Sequence, residues 1–152
     1  MKQQFNLTID YQQIAVFEST LKNPFNDWTP AHINQGFARR PLSVSFSTLE
    51  EGNIEVEVKI AKKVVLCKKT IRAIQVPFIT KSGKLEIASI ADSKKISVPI
   101  NTYLLIFETG YNQKKNWCRF TFIPSLKPHP AILLQDEELT LSNSLLMEAK
   151  EA

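Results

Sequence analysis

The amino-acid sequence predicts an all-β fold: a single-domain antiparallel β-sandwich with one short inserted helix and a candidate C-terminal helix. Three observations carry that expectation. Ile54, Val56, Val58 and Ile60 alternate with Glu55, Glu57 and Lys59, the period of two that makes one strand face apolar and the other charged. Leu42, Val44 and Phe46 alternate with Ser43, Ser45 and Ser47 in the same way. Glu51-Gly52-Asn53 separates these two runs and Ser82-Gly83 separates two more, which reads as hairpins whose glycine supplies a positive φ.

In chain order, further strands are expected over Asn6–Asp10, Gln13–Glu18, Arg72–Phe78, Leu85–Ile90, Lys95–Ile100, Tyr103–Glu108 and Trp117–Ile123, for a total of roughly eight to ten. Tyr103–Phe107 is apolar on both faces and belongs in the middle of a sheet. Gly110-Tyr111-Asn112 marks a turn before Trp117. Pro77 and Pro99 lack an N–H and belong at edges, strand ends or bulges. Between the second and third strands, Thr29 to Gly36 reads as a two-turn helix. Thr29 suits the N-cap, Pro30 the first helical position and Gly36 the left-handed C-terminal cap. Leu139–Ala149 has amphipathic helical spacing but follows the Pro-rich passage Pro124–Pro130. The expected division is therefore a sandwich domain over 1–123 and a connection with a loosely docked or partner-dependent extension over 124–152.

The size agrees with that division. At 152 residues and 43% hydrophobic content, the chain suits one domain and needs no disulfide or metal to fold. Its longest apolar run, Ile96–Phe107, is about half the roughly 20 residues a membrane-spanning helix needs. The first residues hold no apolar block followed by a cleavage site, so no signal peptide is expected. Cys67 and Cys118 then read as reduced core thiols of a cytoplasmic protein. Charge is segregated. Residues 1–52 carry 4 basic and 5 acidic side chains (−1), 53–134 carry 14 and 5 (+9), and 135–152 carry 1 and 5 (−4).

No catalytic grouping emerges. His32 and His129 have no metal-spaced companions, so neither a metal nor a cofactor is expected. All four glycines are isolated and build no phosphate loop. The carboxylate runs Glu50-Glu51 and Asp136-Glu137-Glu138 place neighbours side by side, which is not how a general acid and base face one bond. The sequence offers no enzyme.

Two binding readings stand. The pairs Lys62-Lys63, Lys68-Lys69, Lys94-Lys95 and Lys114-Lys115, with Tyr111 and Trp117, suit a nucleic-acid or anionic-surface module. The stretch Pro24–Pro41 is the other. It is too long for a simple turn and holds Phe25, Trp28, Phe37, Arg39 and Arg40. Trp and Arg dominate protein-binding hot spots, although Trp28 and Phe37 equally suit stapling the helix to the sandwich.

That stretch also carries a resemblance. Asp27-Trp28-Thr29, then Ile33-Asn34-Gln35-Gly36-Phe37-Ala38, then Val44-Ser45-Phe46 resembles a pattern of the competence protein J family, the DNA-entry nuclease inhibitors of bacilli. The likeness includes Leu7–Phe17, Ile74–Phe78, Gly83–Ile90 and Ile96–Pro99, and covers roughly residues 5 to 123. It implies a small cytoplasmic protein that binds and blocks a metal-dependent DNA-degrading nuclease, used in DNA uptake or deployed as a toxin, without touching nucleic acid itself. On that reading the partner-binding candidates are Phe25, Asp27, Trp28, His32, Arg39, Arg40, Glu50 and Glu51. The carboxylates would meet the basic residues that hold DNA and speed association, and an aromatic anchor would slow release.

Overall fold

The structure, a computed structural model, describes residues 2–140 and 144–152. Among these, the elements in chain order are β1 (Lys2–Ile9), β2 (Gln13–Glu18), α1 (Pro30–Gln35), β3 (Phe37–Arg40), β4 (Ser43–Ser47), β5 (Gly52–Ile60), β6 (Thr70–Thr80), β7 (Lys84–Ala88), β8 (Ser93–Ser97), β9 (Asn101–Asn112), β10 (Lys115–Pro124) and β11 (Ala131–Leu134). The strands form two sheets, a six-stranded one ordered β1-β5-β10-β9-β6-β11 and a five-stranded one ordered β3-β4-β2-β7-β8. This is the expected all-β sandwich with one short inserted helix.

The alternating runs explain why the sheets pack. Ile54, Val56 and Val58 of β5 turn inward with Leu105, Phe107, Phe120 and Phe122, and meet Val44, Phe46, Leu85 and Ile87 of the facing sheet in one core. Phe46 stacks on Phe107 across that core, with centroids 4.5 Å apart and planes within 8°. Phe120 tilts against both. β9 lies between β10 and β6, as its two-sided apolar pattern requires.

Several expectations are corrected. The turns at Glu51-Gly52-Asn53 and Ser82-Gly83 are not hairpins, because β4 and β5, like β6 and β7, lie in different sheets. Each pair of runs sets its apolar faces against one another across the core instead of side by side. Not every pairing is antiparallel either. β10 runs parallel to β5, with Cys118 opposite Val56. Residues 61–69 carry the chain back along the outer face, where the Cys67 N–H donates to Glu108 and the Val65 carbonyl accepts from Arg119. The β9–β10 hairpin thereby fits between β5 and β6. Its turn falls at Gln113 and Lys114, both at positive φ, and Gly110 is inside β9. A Cβ on Gly110 would stand 2.3 Å from the Lys69 carbonyl oxygen, so the glycine serves that close approach.

Strands β3 (FARR) and β11 (AILL) carry no alternation in the sequence and lie outside the expected set. Ser43 and Ser45 are buried, not wet, because Asn26 lies over β4 and donates its amide to the carbonyls of Ala38 and Ser43. The candidate helix Leu139–Ala149 is not formed by its described residues; 141–143 lie outside them. Its backbone groups are taken by side chains instead. Gln35, Arg39 and His32 engage the carbonyls of Leu146, Met147 and Glu148, and Gln35 also accepts from the Leu146 N–H. β11 itself pairs with β6 and extends the larger sheet.

Candidate functional site

The site is built at the end of the sandwich where β1 hands over to β2. Tyr11 and Gln12 make that turn in the left-handed region, at φ +57° and +50°. The conformation costs on the order of 1 kcal/mol or more for each non-glycine residue, and here it holds Tyr11 out in solvent, 75% exposed. The Tyr11 N–H donates to Glu51 Oε2 at 3.0 Å and the Thr48 N–H to the Gln12 carbonyl at 2.8 Å, which ties the turn to the β4–β5 connection.

Helix α1 supplies the opposite wall. Gly36 closes it at φ +85° with its N–H on the His32 carbonyl at 2.9 Å, as the capping pattern predicts. The Thr29 N–H donates to His32 Nδ1 at 2.9 Å, so the histidine serves the helix start. Trp28 stands just before the cap, half-buried, its indole N–H donating to Gln13 Oε1 at 3.2 Å and its ring edge-on to His32. Tyr11, Gln12, Gln13, Trp28, Ile33 and Ser47 line one open groove of about 370 Å³. Ile33 is 59% exposed along its rim.

Beside this groove is a carboxylate-rich hollow of about 750 Å³, lined by Leu49, Ile71, Tyr111, Gln135, Asp136, Glu137 and Glu138. The Tyr111 phenol is held above its ordinary pKa, first by burial, then by its hydrogen bond to Glu50 and the charges of Glu50 and Glu138. Tyr111 therefore marks where two distant carboxylate runs converge. Arg72 balances part of this charge: it is fully buried, bidentate on Asp136 at 3.0 and 2.7 Å and 3.4 Å from Glu138. A chain of net charge +4 thus presents a local excess of carboxylates here.

The eight expected residues divide into two sets. Trp28 faces the groove, Glu51 fixes its Tyr11 wall, and exposed Glu50 joins it to the acidic hollow. Asp27 is exposed beside Trp28, with its N–H on the Lys150 carbonyl. The other four hold the chain to itself. Phe25 packs edge-on against Phe17, and His32 is buried with Nε2 2.9 Å from the Glu148 carbonyl oxygen. Arg39 donates to the Met147 carbonyl at 3.2 Å, and Arg40 donates to Asn26 and pairs with Glu151 at 3.5 Å. Tyr11, Ile33 and Asp136–Glu138 also shape this end without belonging to the expected set, and Tyr111, expected only for a nucleic-acid or anionic-surface module, sits among the carboxylates instead. The adjacent charges of 136–138 were visible as a run, but their position opposite Glu50 was not.

The lysine pairs disperse. Lys69 and Lys115 meet around Trp117 on the outer face of the larger sheet, in a hollow of about 430 Å³ that Glu55 and Glu57 also line. Arg119 nearby is committed to Glu108 at 2.7 Å. Among the described residues, no group of three or more His, Cys, Asp or Glu side chains is placed to hold a metal ion, and no helix is long and apolar enough to cross a membrane. Burial pushes the Cys118 thiol up to about 12.

Comparison with known proteins adds three findings. The family model described as competence protein J (ComJ) matches residues 6–123. The crystal structure of ComJ from Bacillus subtilis, described as inhibitor of the DNA degrading activity of NucA, superposes with a TM-score of 0.73 at 20% identity, over 81% of this chain and 96% of that one. A protein described as crocagin biosynthetic gene J superposes with a TM-score of 0.58 at 12% identity, over 82% and 97%. No curated protein matches by sequence.

Proposed function

The chain belongs to the competence protein J family, and from that premise we propose that it is a protein inhibitor of a DNA-degrading nuclease, acting by obstruction and not by turnover. The observation that carries this reading is the convergence of an exposed apolar groove (Tyr11, Trp28, Ile33) with the carboxylates Glu50, Glu51 and Asp136–Glu138 at one end of a rigid sandwich. A cleft that holds DNA is lined by cations, and these carboxylates offer it the same charge sign as phosphate. The aromatic wall supplies the desolvated anchor that retards dissociation. Asp27 extends the acidic rim beside Trp28. The half-buried or buried Phe25, His32, Arg39 and Arg40 act from behind, by holding the loop that presents Trp28.

Residues 1–123 are the unit shared with the family, and 124–152 are an addition that supplies β11 and the carboxylates Asp136–Glu138; the family match ending at 123 supports this division. Action in the cytoplasm is supported by two thiols that form no disulfide, one of them buried in the core.

The test is a plasmid-cleavage assay in which the purified protein is added to a NucA-type nuclease at equal concentration. Cleavage should stop. Undiminished cleavage at molar excess refutes the proposal.

A further inference from the structure

The opposite end of the sandwich takes no part in that reading. Four loops meet there, 60–63, 80–84, 97–101 and 124–127, and they carry five lysines (62, 63, 81, 84 and 127) and no carboxylate. Ile60, Ala61, Val98, Pro99 and Pro124 line a shallow apolar hollow of about 700 Å³ with the Lys62 stem. Around it Leu126 is fully exposed and Ile100 is 66% exposed. These are fixed features of the fold. The Val98 N–H donates to the Gly83 carbonyl at 2.8 Å, the Ser125 N–H to the Thr102 carbonyl at 3.1 Å, and the Tyr103 hydroxyl to the Pro99 carbonyl. Glu18, whose carboxylate the 80–82 loop holds, is enclosed by Thr80, Lys81 and Ser82 and turned away from solvent.

Aliphatic tips inside a ring of lysines match one partner chemistry closely. An anionic bilayer offers phosphates at the depth of the lysines and hydrocarbon just beneath. Nucleic acid would engage the lysines, but it takes up Leu126 and Ile100 only by unstacking its bases, whereas a bilayer receives both tips without that cost. We propose that this end of the protein seats on an anionic lipid surface, with Ile100 and Leu126 entering the boundary between headgroups and acyl chains. β9 separates Ile100 from Tyr111 by roughly 35 Å at about 3.3 Å per residue, so the aromatic groove and acidic hollow stay free while the lysine end is docked. Leu126 and Lys127 lie beyond the residues matched by the family model, so part of this surface belongs to the addition after residue 123. The inference does not depend on the nuclease reading.

The experiment is flotation of the full chain with vesicles of pure phosphatidylcholine and with vesicles containing about 30% phosphatidylglycerol, at low and high salt. The protein floats with the anionic vesicles at low salt, not with the neutral ones. Leu126→Asp and Ile100→Asp each reduce partitioning about tenfold, from the loss of one buried aliphatic side chain. Lys62→Glu and Lys127→Glu each reduce it by about fivefold or more. All four positions are exposed, so the variants keep the wild-type melting temperature and nuclease inhibition. No flotation with anionic vesicles at low salt overturns the proposal, as does flotation that Leu126→Asp and Ile100→Asp leave intact. A gel shift of duplex DNA by a protein that ignores the vesicles overturns it in favour of nucleic acid.

Discussion

His32 Nε2 lies 2.9 Å from the backbone oxygen of Glu148, and this contact joins the start of α1 to the last residues of the described chain. The opposite ring nitrogen accepts the Thr29 N–H, so Nε2 carries the proton and donates it to Glu148. One side chain thus performs the N3 half of a helix cap and anchors the tail. The Asp27 N–H to Lys150 carbonyl bond at 2.8 Å and the Asn26–Glu151 bridge continue the same attachment. The tail lies along the loop that presents Trp28.

His32→Ala is expected to destabilise the protein by about 1–2 kcal/mol, through one lost cap and one lost buried hydrogen bond. Hydrogen exchange resolves the mechanism. Amides of residues 146–152 lose protection in the variant while those of β9 and β10 keep theirs. Equal protection in the tail would show that His32 does not hold it.

Arg72 and Asp136 form a pair whose guanidinium is wholly buried. Removing Asp136 leaves the buried guanidinium facing the more exposed Glu138 at 3.4 Å, a poorer partner, so Asp136→Ala is expected to cost about 3 kcal/mol. Arg72 also donates to the Ser47 carbonyl and hydroxyl, which lessens the loss. Adding Arg72→Met to Asp136→Ala removes the poorly paired charge and recovers part of the stability. Urea midpoints of the two variants decide it: a double variant less stable than the single one refutes the account.

Glu18 predicts an acid dependence. Burial pushes its carboxyl up, but hydrogen bonds from Ser82, Thr80 and the N–H groups of Ser82 and Lys81 outweigh it and hold the folded pKa below the ordinary carboxylate value. A lowered folded pKa contributes stability that is present above the unfolded pKa and lost as pH falls through the folded one. Glu18→Gln should therefore cost about 2 kcal/mol at pH near 7 and less at pH near 3, where the wild type has surrendered the same contribution. Urea denaturation at both values measures the difference.

The groove and the carboxylates should separate kinetically. Trp28→Ala is expected to weaken nuclease binding by about 2 kcal/mol, mostly through faster dissociation. Glu137→Lys, which leaves the Tyr11 wall untouched, should slow association and flatten its salt dependence. Surface plasmon resonance at two ionic strengths separates the rates. Unchanged affinity for Trp28→Ala would leave the tryptophan as a staple for α1 alone.

Much of the architecture is legible along the chain because period-two alternation reports which face of a strand is buried. β5 follows from that pattern, β2 from its short apolar run, and the extent of α1 from Thr29, Pro30 and Gly36. Alternation is silent about which sheet a strand joins, so the turns before β5 and β7 read as hairpins when they cross the sandwich. The amphipathic spacing of 139–149 records apolar contacts for Leu145 and Met147, but side chains of α1 and β3 claim the backbone that a helix would have used.

Local chemistry, then, sufficed for the class of fold, the capped helix, the exceptional loop around Trp28 and the resemblance carried by its residues. Position in space decided the rest. Tyr11 became a wall of the groove through its backbone bond to Glu51, and Glu50 met Asp136–Glu138 across Tyr111. Arg40, His32 and Arg39 turned inward to the chain's own tail. Such contacts join residues far apart in sequence, and neither composition nor periodicity encodes the distance between them.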